Sequence, residues 1–107
     1  MCLGRSVDSH SLMESILWYV LTSTRGGDNR LRLLVAADEE ARNANQFAAD
    51  LGLDYKTVRH HLDVLVENDI LEPLTEGYGA RYRPTDRVRH HWETVEKILA
   101  ESDVERP

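Results

Sequence analysis

The sequence predicts a mainly α domain that carries one small β-hairpin. Three observations lead there. Apolar residues recur at helical spacing in successive stretches, that rhythm gives way once, after Asp69, to alternation, and glycines fall at the joints. At 107 residues the chain can close one modest hydrophobic core. A single domain over residues 1–107 is therefore expected, with its core at about 28–85 and flanking helices at about 11–24 and 86–102.

From Ser11 to Thr22, Leu12, Met13, Ile16, Leu17, Val20 and Leu21 mark a first helix with Ser9 or Ser11 as N-cap, although "WYVLT" is also β-prone. "RGGD" ends it. A second helix runs from about Asn29 to Ala37, with Leu31, Leu34 and Val35 inward and Asp28 or Asn29 as cap; Asp38, Glu39 and Glu40 form a solvated turn. A short third helix follows in "NANQFAADLG", capped by Asn43 or Asn45, with Phe47, Ala48 and Leu51 on its apolar face and Gly52 as its stop. Asp54 caps a fourth, in which Val58, Leu62, Leu65 and Val66 form one stripe. Ile70, Glu72 and Leu74 then alternate, and "TEGYGARYRPT" supplies a glycine-flanked tip around Tyr78 and a second strand ended by Pro84. A last helix, from about Thr85 to Glu101, repeats Val88, Trp92, Val95 and Leu99 at spacings of four, three and four.

Helices followed by a hairpin in this order, with a helix pair closed at Gly52, make a winged helix-turn-helix with N- and C-terminal flanking helices. The joint has a physical logic. Ala48 is small enough for close packing, Gly52 makes the tight turn, and Val58 with Leu62 anchors the next helix so that its first turns protrude.

These residues also resemble a known family. "NQFAADLGLDYKTVRHHLDVLVENDIL" is similar to the DNA-binding core of ArsR-type winged-helix regulators, in which Val58, His61 and Leu62 match a Val-x-x-His-Leu pattern of the recognition helix. The longer run from "TRGGDNRLRLL" through that core to the "YGARY" wing resembles a group of short archaeal winged-helix DNA-binding proteins, over residues 23–85. The resemblance implies a homodimer on operator DNA. ArsR metal sensors carry closely spaced cysteines on the helix matching Asn45–Leu51, and this sequence has none there, so metal sensing is not expected.

On the fourth helix, Tyr55, Lys56, Thr57, Arg59 and His60 fall on the first exposed turns, where side chains reach phosphates and base edges. His61 points inward, as a packed, hydrogen-bonded histidine. Arg81 and Arg83 alternate with Ala80 and Tyr82 and share one face of the wing, placed for flanking DNA. Arg25, Arg30 and Arg32 open the second helix against its dipole, which suits either a phosphate or an acidic partner. For a dimer interface the terminal helices offer Leu12, Ile16, Trp18, Tyr19, Val88, Trp92, Val95 and Leu99.

The formal net charge is −6, which excludes a featureless electrostatic grip on nucleic acid. Yet Lys56 and Arg59 open the recognition helix while Asp63, Glu67 and Asp69 occupy its distal end. Eleven Arg against two Lys favours forked contacts over bulk charge. Adjacent histidines at 60–61 and 90–91 diverge by about 100° on a helix, so neither pair suits one metal ion. No nucleophile–base pairing, paired carboxylates or phosphate-cradling loop is present, and "RGGD" lacks the lysine of a P-loop, so neither an enzyme nor a cofactor is expected. Cys2 is a terminal bystander. With no apolar run of roughly 20 residues, a cytoplasmic protein without membrane contact is expected. The expected function is a homodimeric, sequence-specific regulator on double-stranded DNA; its alternative is a winged-helix protein-interaction module in a transcription or replication complex.

Overall fold

Helix α1 (Ser9–Thr22) is followed by α2 (Gly27–Glu39), α3 (Ala44–Leu51) and α4 (Tyr55–Glu67). Strands β1 (Leu71–Pro73) and β2 (Tyr82–Pro84) form the wing, and α5 (Asp86–Arg89) and α6 (Trp92–Glu101) complete the chain. This computed structural model describes residues 9–23, 26–77 and 79–104, with side chains from Leu12 onward. Cys2, Arg25 and Tyr78 lie outside the described residues.

The architecture is a winged helix-turn-helix, as the order of periodicities predicts. Helix α2 lies at its centre, against α1, α3, α4 and β2. That position explains a difference from the sequence reading, which turned only Leu31, Leu34 and Val35 inward. Leu33, Ala36 and Ala37 are buried as well, because a helix surrounded by others is apolar on nearly every side. Its N-cap is Gly26 in a left-handed conformation (φ 84°), without a side-chain cap, so Asp28 and Asn29 sit inside the first turn instead of capping it. A side chain at Gly26 would have both this φ and a collision with Cε1 of His61 against it.

Helix α1 packs on α2 and α6 through Met13, Leu17, Val20 and Leu21. It already includes Ser9, so neither Ser9 nor Ser11 is the residue preceding it. Helix α3 opens on a capping box: the Asn43 side chain accepts from the Gln46 amide at 2.8 Å, and Gln46 Oε1 accepts from the Asn43 amide at 2.9 Å. It closes on Gly52 at φ 68°, with the amides of Gly52 and Leu53 both donating to the Ala48 carbonyl. Asp54 caps α4 by accepting from the Lys56 amide at 3.0 Å.

Helix α4 buries Val58, His61, Leu62 and Leu65, but Val66 is 37% exposed and leaves the predicted stripe. The helix ends in a Schellman arrangement, Asp69 N–H to the Val66 carbonyl and Ile70 N–H to that of Leu65, with Asp69 at φ 61°. Ile70 is therefore buried as part of this closure, before the strand starts. The predicted alternation fails accordingly: Leu71 is buried, and Leu74 lies beyond β1 and 44% exposed.

The wing pairs antiparallel, Leu71 with Pro84, Glu72 with Arg83 and Pro73 with Tyr82. On its other edge the Tyr82 amide donates to the Arg42 carbonyl at 2.9 Å, an isolated bridge that the sequence reading did not anticipate. The predicted last helix is two. Thr85 caps α5 at the Val88 amide and also donates its hydroxyl to the Asp69 carbonyl at 2.8 Å, fastening the chain to the end of α4. The path then turns at His90 and His91, and α6 buries Thr94, Val95 and Ile98. Among the described residues no helix is long and apolar enough to cross a membrane.

Candidate nucleic-acid interface

The first turns of α4 are held out from the body by what lies beneath them. Val58 and Leu62 are fully buried, so the intervening residues must project. Tyr55, Lys56 and His60 are exposed, and Thr57 and Arg59 are half-buried. Across from them stands the wing, where Ala80 and Tyr82 turn in and Arg81 and Arg83 turn out, as the alternation predicts. Between the two runs an open basin of about 340 Å³, bordered by Asn43, Asn45, Tyr55, Arg59, Gly77 and Tyr82.

The cations of α4 and the wing differ in what holds them. Arg83 Nε donates to Glu72 Oε2 at 2.9 Å across the strand pair. Arg59 donates through Nη1 to the Tyr82 hydroxyl at 3.0 Å and through Nη2 to Asp63 Oδ1 at 3.3 Å. The tyrosine hydrogen bond, outweighing some desolvation, raises the Arg59 pKa further. Lys56 and Arg81 are in no side-chain hydrogen bond or ion pair with the described residues.

Beneath the interface, three arginines do structural work that sequence reasoning missed or misread. Arg30 donates to Nδ1 of His61 (3.3 Å), the Val20 carbonyl (3.0 Å) and Ser23 Oγ (3.0 Å), joining the end of α1 to α4. Arg32 donates to the Leu51 carbonyl at 2.8 Å, closing the C-terminus of α3, and to Asn29. Their partners within the protein are thus carbonyls, a hydroxyl, a side-chain amide and a ring nitrogen, where an acidic group was the protein partner expected. Arg42, singled out by nothing in the sequence, donates to the Ala36 carbonyl at the end of α2 and to Asp50 Oδ2 at 2.8 Å.

His61 is the packed, hydrogen-bonded residue expected. Burial foremost, then the Arg30 charge, pushes its pKa below the ordinary histidine value. The neighbouring His60 ring sits 5.4 Å away at 57°. No three His, Cys, Asp or Glu side chains among the described residues come together as metal donors.

The eight residues proposed from sequence for a dimer interface divide by depth. Tyr19 is 78% exposed, Leu12 46% and Trp18 36%, whereas Ile16, Trp92 and Leu99 are half-buried. Val88 and Val95 belong to the protomer's own core.

No protein-family profile and no curated protein matches the sequence. Solved structures do match the fold. An ArsR-like transcriptional regulator from a Rhodococcus species superposes with a TM-score of 0.64 at 20% identity, over 88% of this chain and 86% of that one. The homodimeric winged helix-turn-helix DNA-binding domain Mb0332 from Mycobacterium bovis, described as a possible ArsR-family transcriptional regulator, gives 0.63 at 21% identity over 97% and 94%. Reduced HlyU from Vibrio cholerae gives 0.63 at 16% identity over 90% and 92%. At such identities the likeness establishes the fold, and this chain is a winged helix-turn-helix protein in the arrangement those structures share.

Proposed function

We propose that the chain is a cytoplasmic, non-enzymatic regulator of transcription that binds specific double-stranded DNA as a homodimer, with the start of α4 in a major groove and the wing on flanking DNA. The basin carries this reading. Tyr55 and Arg59 line it from the protruding start of α4, and Ala80 and Tyr82 line it from the wing, so the two elements expected to meet DNA share one concavity, with Lys56 and Arg81 exposed at neighbouring positions. Of the neighbouring carboxylates, Asp63 is paired with Arg59, Asp69 with Arg87, and Asp54 is engaged with the Lys56 amide. The ArsR-like regulator and the homodimeric DNA-binding domain among the structural neighbours support the same reading.

Exposed Leu12, Trp18 and Tyr19, with half-buried Ile16, Trp92 and Leu99 on the flanking helices, support a second copy as partner. A two-fold pair would set two recognition helices about 34 Å apart, one turn of DNA.

Genome-wide footprinting of the tagged protein tests the function, with recurrent palindromic sites as the expected result. In mobility-shift titrations, Lys56→Ala combined with Arg59→Ala should weaken binding by about tenfold or more; unchanged affinity would overturn the groove-insertion mechanism. Light scattering at micromolar concentration should give a dimer, and a monomer there would remove the interface. Occupancy only within a larger transcription or replication complex, with no duplex binding by the purified chain, would favour the protein-interaction alternative.

A further inference from the structure

We infer that Tyr82 is a positioning residue that holds Arg59 for a DNA backbone phosphate, so that Arg59 contributes affinity without reading a base. The inference rests on the DNA-binding reading above and adds a division of labour within it.

Arg59 is anchored at two unequal points. Tyr82 is the rigid one: its ring is buried, its amide is bonded to Arg42, and it pairs with Pro73 in the sheet. Its hydroxyl accepts from Arg59 Nη1 at 3.0 Å, which draws the guanidinium across to the wing. Asp63 is the loose one, a 61% exposed side chain one helical turn further on, accepting from Nη2 at 3.3 Å. Both terminal nitrogens are therefore engaged before any DNA arrives, and by groups on different elements.

That matters because an arginine reads guanine through a planar two-donor edge presented squarely to O6 and N7. A head group tethered sideways to the wing is poorly placed for it. A phosphate is less demanding, since its oxygens accept from many directions, and three of the five guanidinium N–H donors remain available. The Asp63 carboxylate already occupies an anion's place on Arg59. It is exposed enough to yield that place to a phosphate, whereas the Tyr82 hydroxyl stays and keeps the cation at the edge of the basin. Lys56, exposed and without such an anchor, has no comparable restraint.

The test uses the full chain with randomised-sequence duplex DNA in four forms: unsubstituted, Tyr82→Phe, Arg59→Ala and the double variant. Arg59→Ala should lower the slope of log affinity against log salt by about 0.9, the share of one phosphate, and should leave the base preferences selected from the randomised pool unchanged. Tyr82→Phe keeps the ring and loses only the hydroxyl, and should weaken binding about three- to tenfold. In the Arg59→Ala background it should weaken binding no further. An Arg59→Ala protein with the original salt slope or altered base preferences overturns the phosphate assignment alone. A Tyr82→Phe loss of equal size in both backgrounds overturns the positioning role. Failure of the unsubstituted chain to bind any duplex overturns the DNA-binding reading and this inference with it.

Discussion

Two sets of arginines, one on or against α2 and one on α4 and the wing, are bonded differently. In the rear set, on or against α2, Arg30, Arg32 and Arg42 each donate to a main-chain carbonyl near a helix end, those of Val20, Leu51 and Ala36, and Arg42 also pairs with Asp50. In front, Arg59 and Arg83 meet side chains, a phenol and two carboxylates, while Arg81 has no side-chain partner among the described residues. One residue type thus does two jobs, and the kind of partner decides which. A half-buried guanidinium beside helix C-termini satisfies carbonyls that the helix cannot, and its removal strands them. A guanidinium at the surface can exchange a carboxylate for a phosphate at little cost, because exposed pairs are weak. The rear set should therefore govern stability and the front set DNA affinity.

The largest expected effect is Arg30→Met. It deletes the bonds to His61, Val20 and Ser23 together, and should cost about 3 kcal/mol of folding stability in urea denaturation. A loss below about 1 kcal/mol would break the division, since Arg30 would then be no more structural than a surface residue.

Next comes Gly26→Ala, which sharpens the comparison by attacking the rear network without touching an arginine. Left-handed backbone alone penalises alanine by about 1–2 kcal/mol, and the new methyl must also displace the His61 ring. Both stability and DNA affinity should fall, because His61 belongs to α4. A variant as stable as the parent would show that the start of α2 and the recognition helix are not locked together.

This division also marks what the sequence could reveal. Asn43, as one of two candidate caps with Asn45, and Gly52 and Asp54 were legible because capping and turn geometry act within a few residues. The bonds of Arg30 to His61 and of Arg32 to Leu51 were not, because they join positions 31 and 19 residues apart that only the tertiary fold brings together. The bridge from Arg42 to Tyr82 was hidden for the same reason. Periodicity places a residue on a face but not the neighbour that covers it. It therefore grouped Val88 and Val95 with Trp92 and Leu99 as a surface seam, although the first two lie in the core and the helix turns between Val88 and Trp92. The exposed residues at the front of α4 and on the wing were found from sequence because alternation and anchoring fix direction locally. The Arg59–Tyr82 bond, spanning two elements, was not.

A smaller effect should appear with pH. The His61 pKa is lowered in the folded protein, so on acidification the unfolded chain takes up its proton first. The contribution is fully present above about pH 6.5 and declines as pH falls below that unfolded-state value, until the folded ring is protonated too. His61→Gln retains an acceptor for Arg30 and cannot titrate. Between pH 7 and 5 its denaturation midpoint should fall less than the parent's; parallel curves would mean that His61 does not couple protons to folding.

The smallest expected effects lie on the wing. Arg81→Ala should leave thermal stability unchanged, since it breaks no side-chain hydrogen bond or ion pair with the described residues, yet it removes a cation that no carboxylate among them holds. The Arg83 guanidinium must first give up Glu72, so Arg83→Ala should cost less DNA affinity than Arg81→Ala at the same salt. Glu72→Gln supplies the control: with the competing carboxylate gone, the Arg83 contribution should rise toward that of Arg81, and the net affinity of the variant should exceed the parent's. The order of the two arginines in a mobility-shift titration is the measurement. If Arg83→Ala costs more than Arg81→Ala, the pair with Glu72 serves to orient Arg83 toward the phosphate, and the front of the molecule positions its cations as deliberately as the rear does.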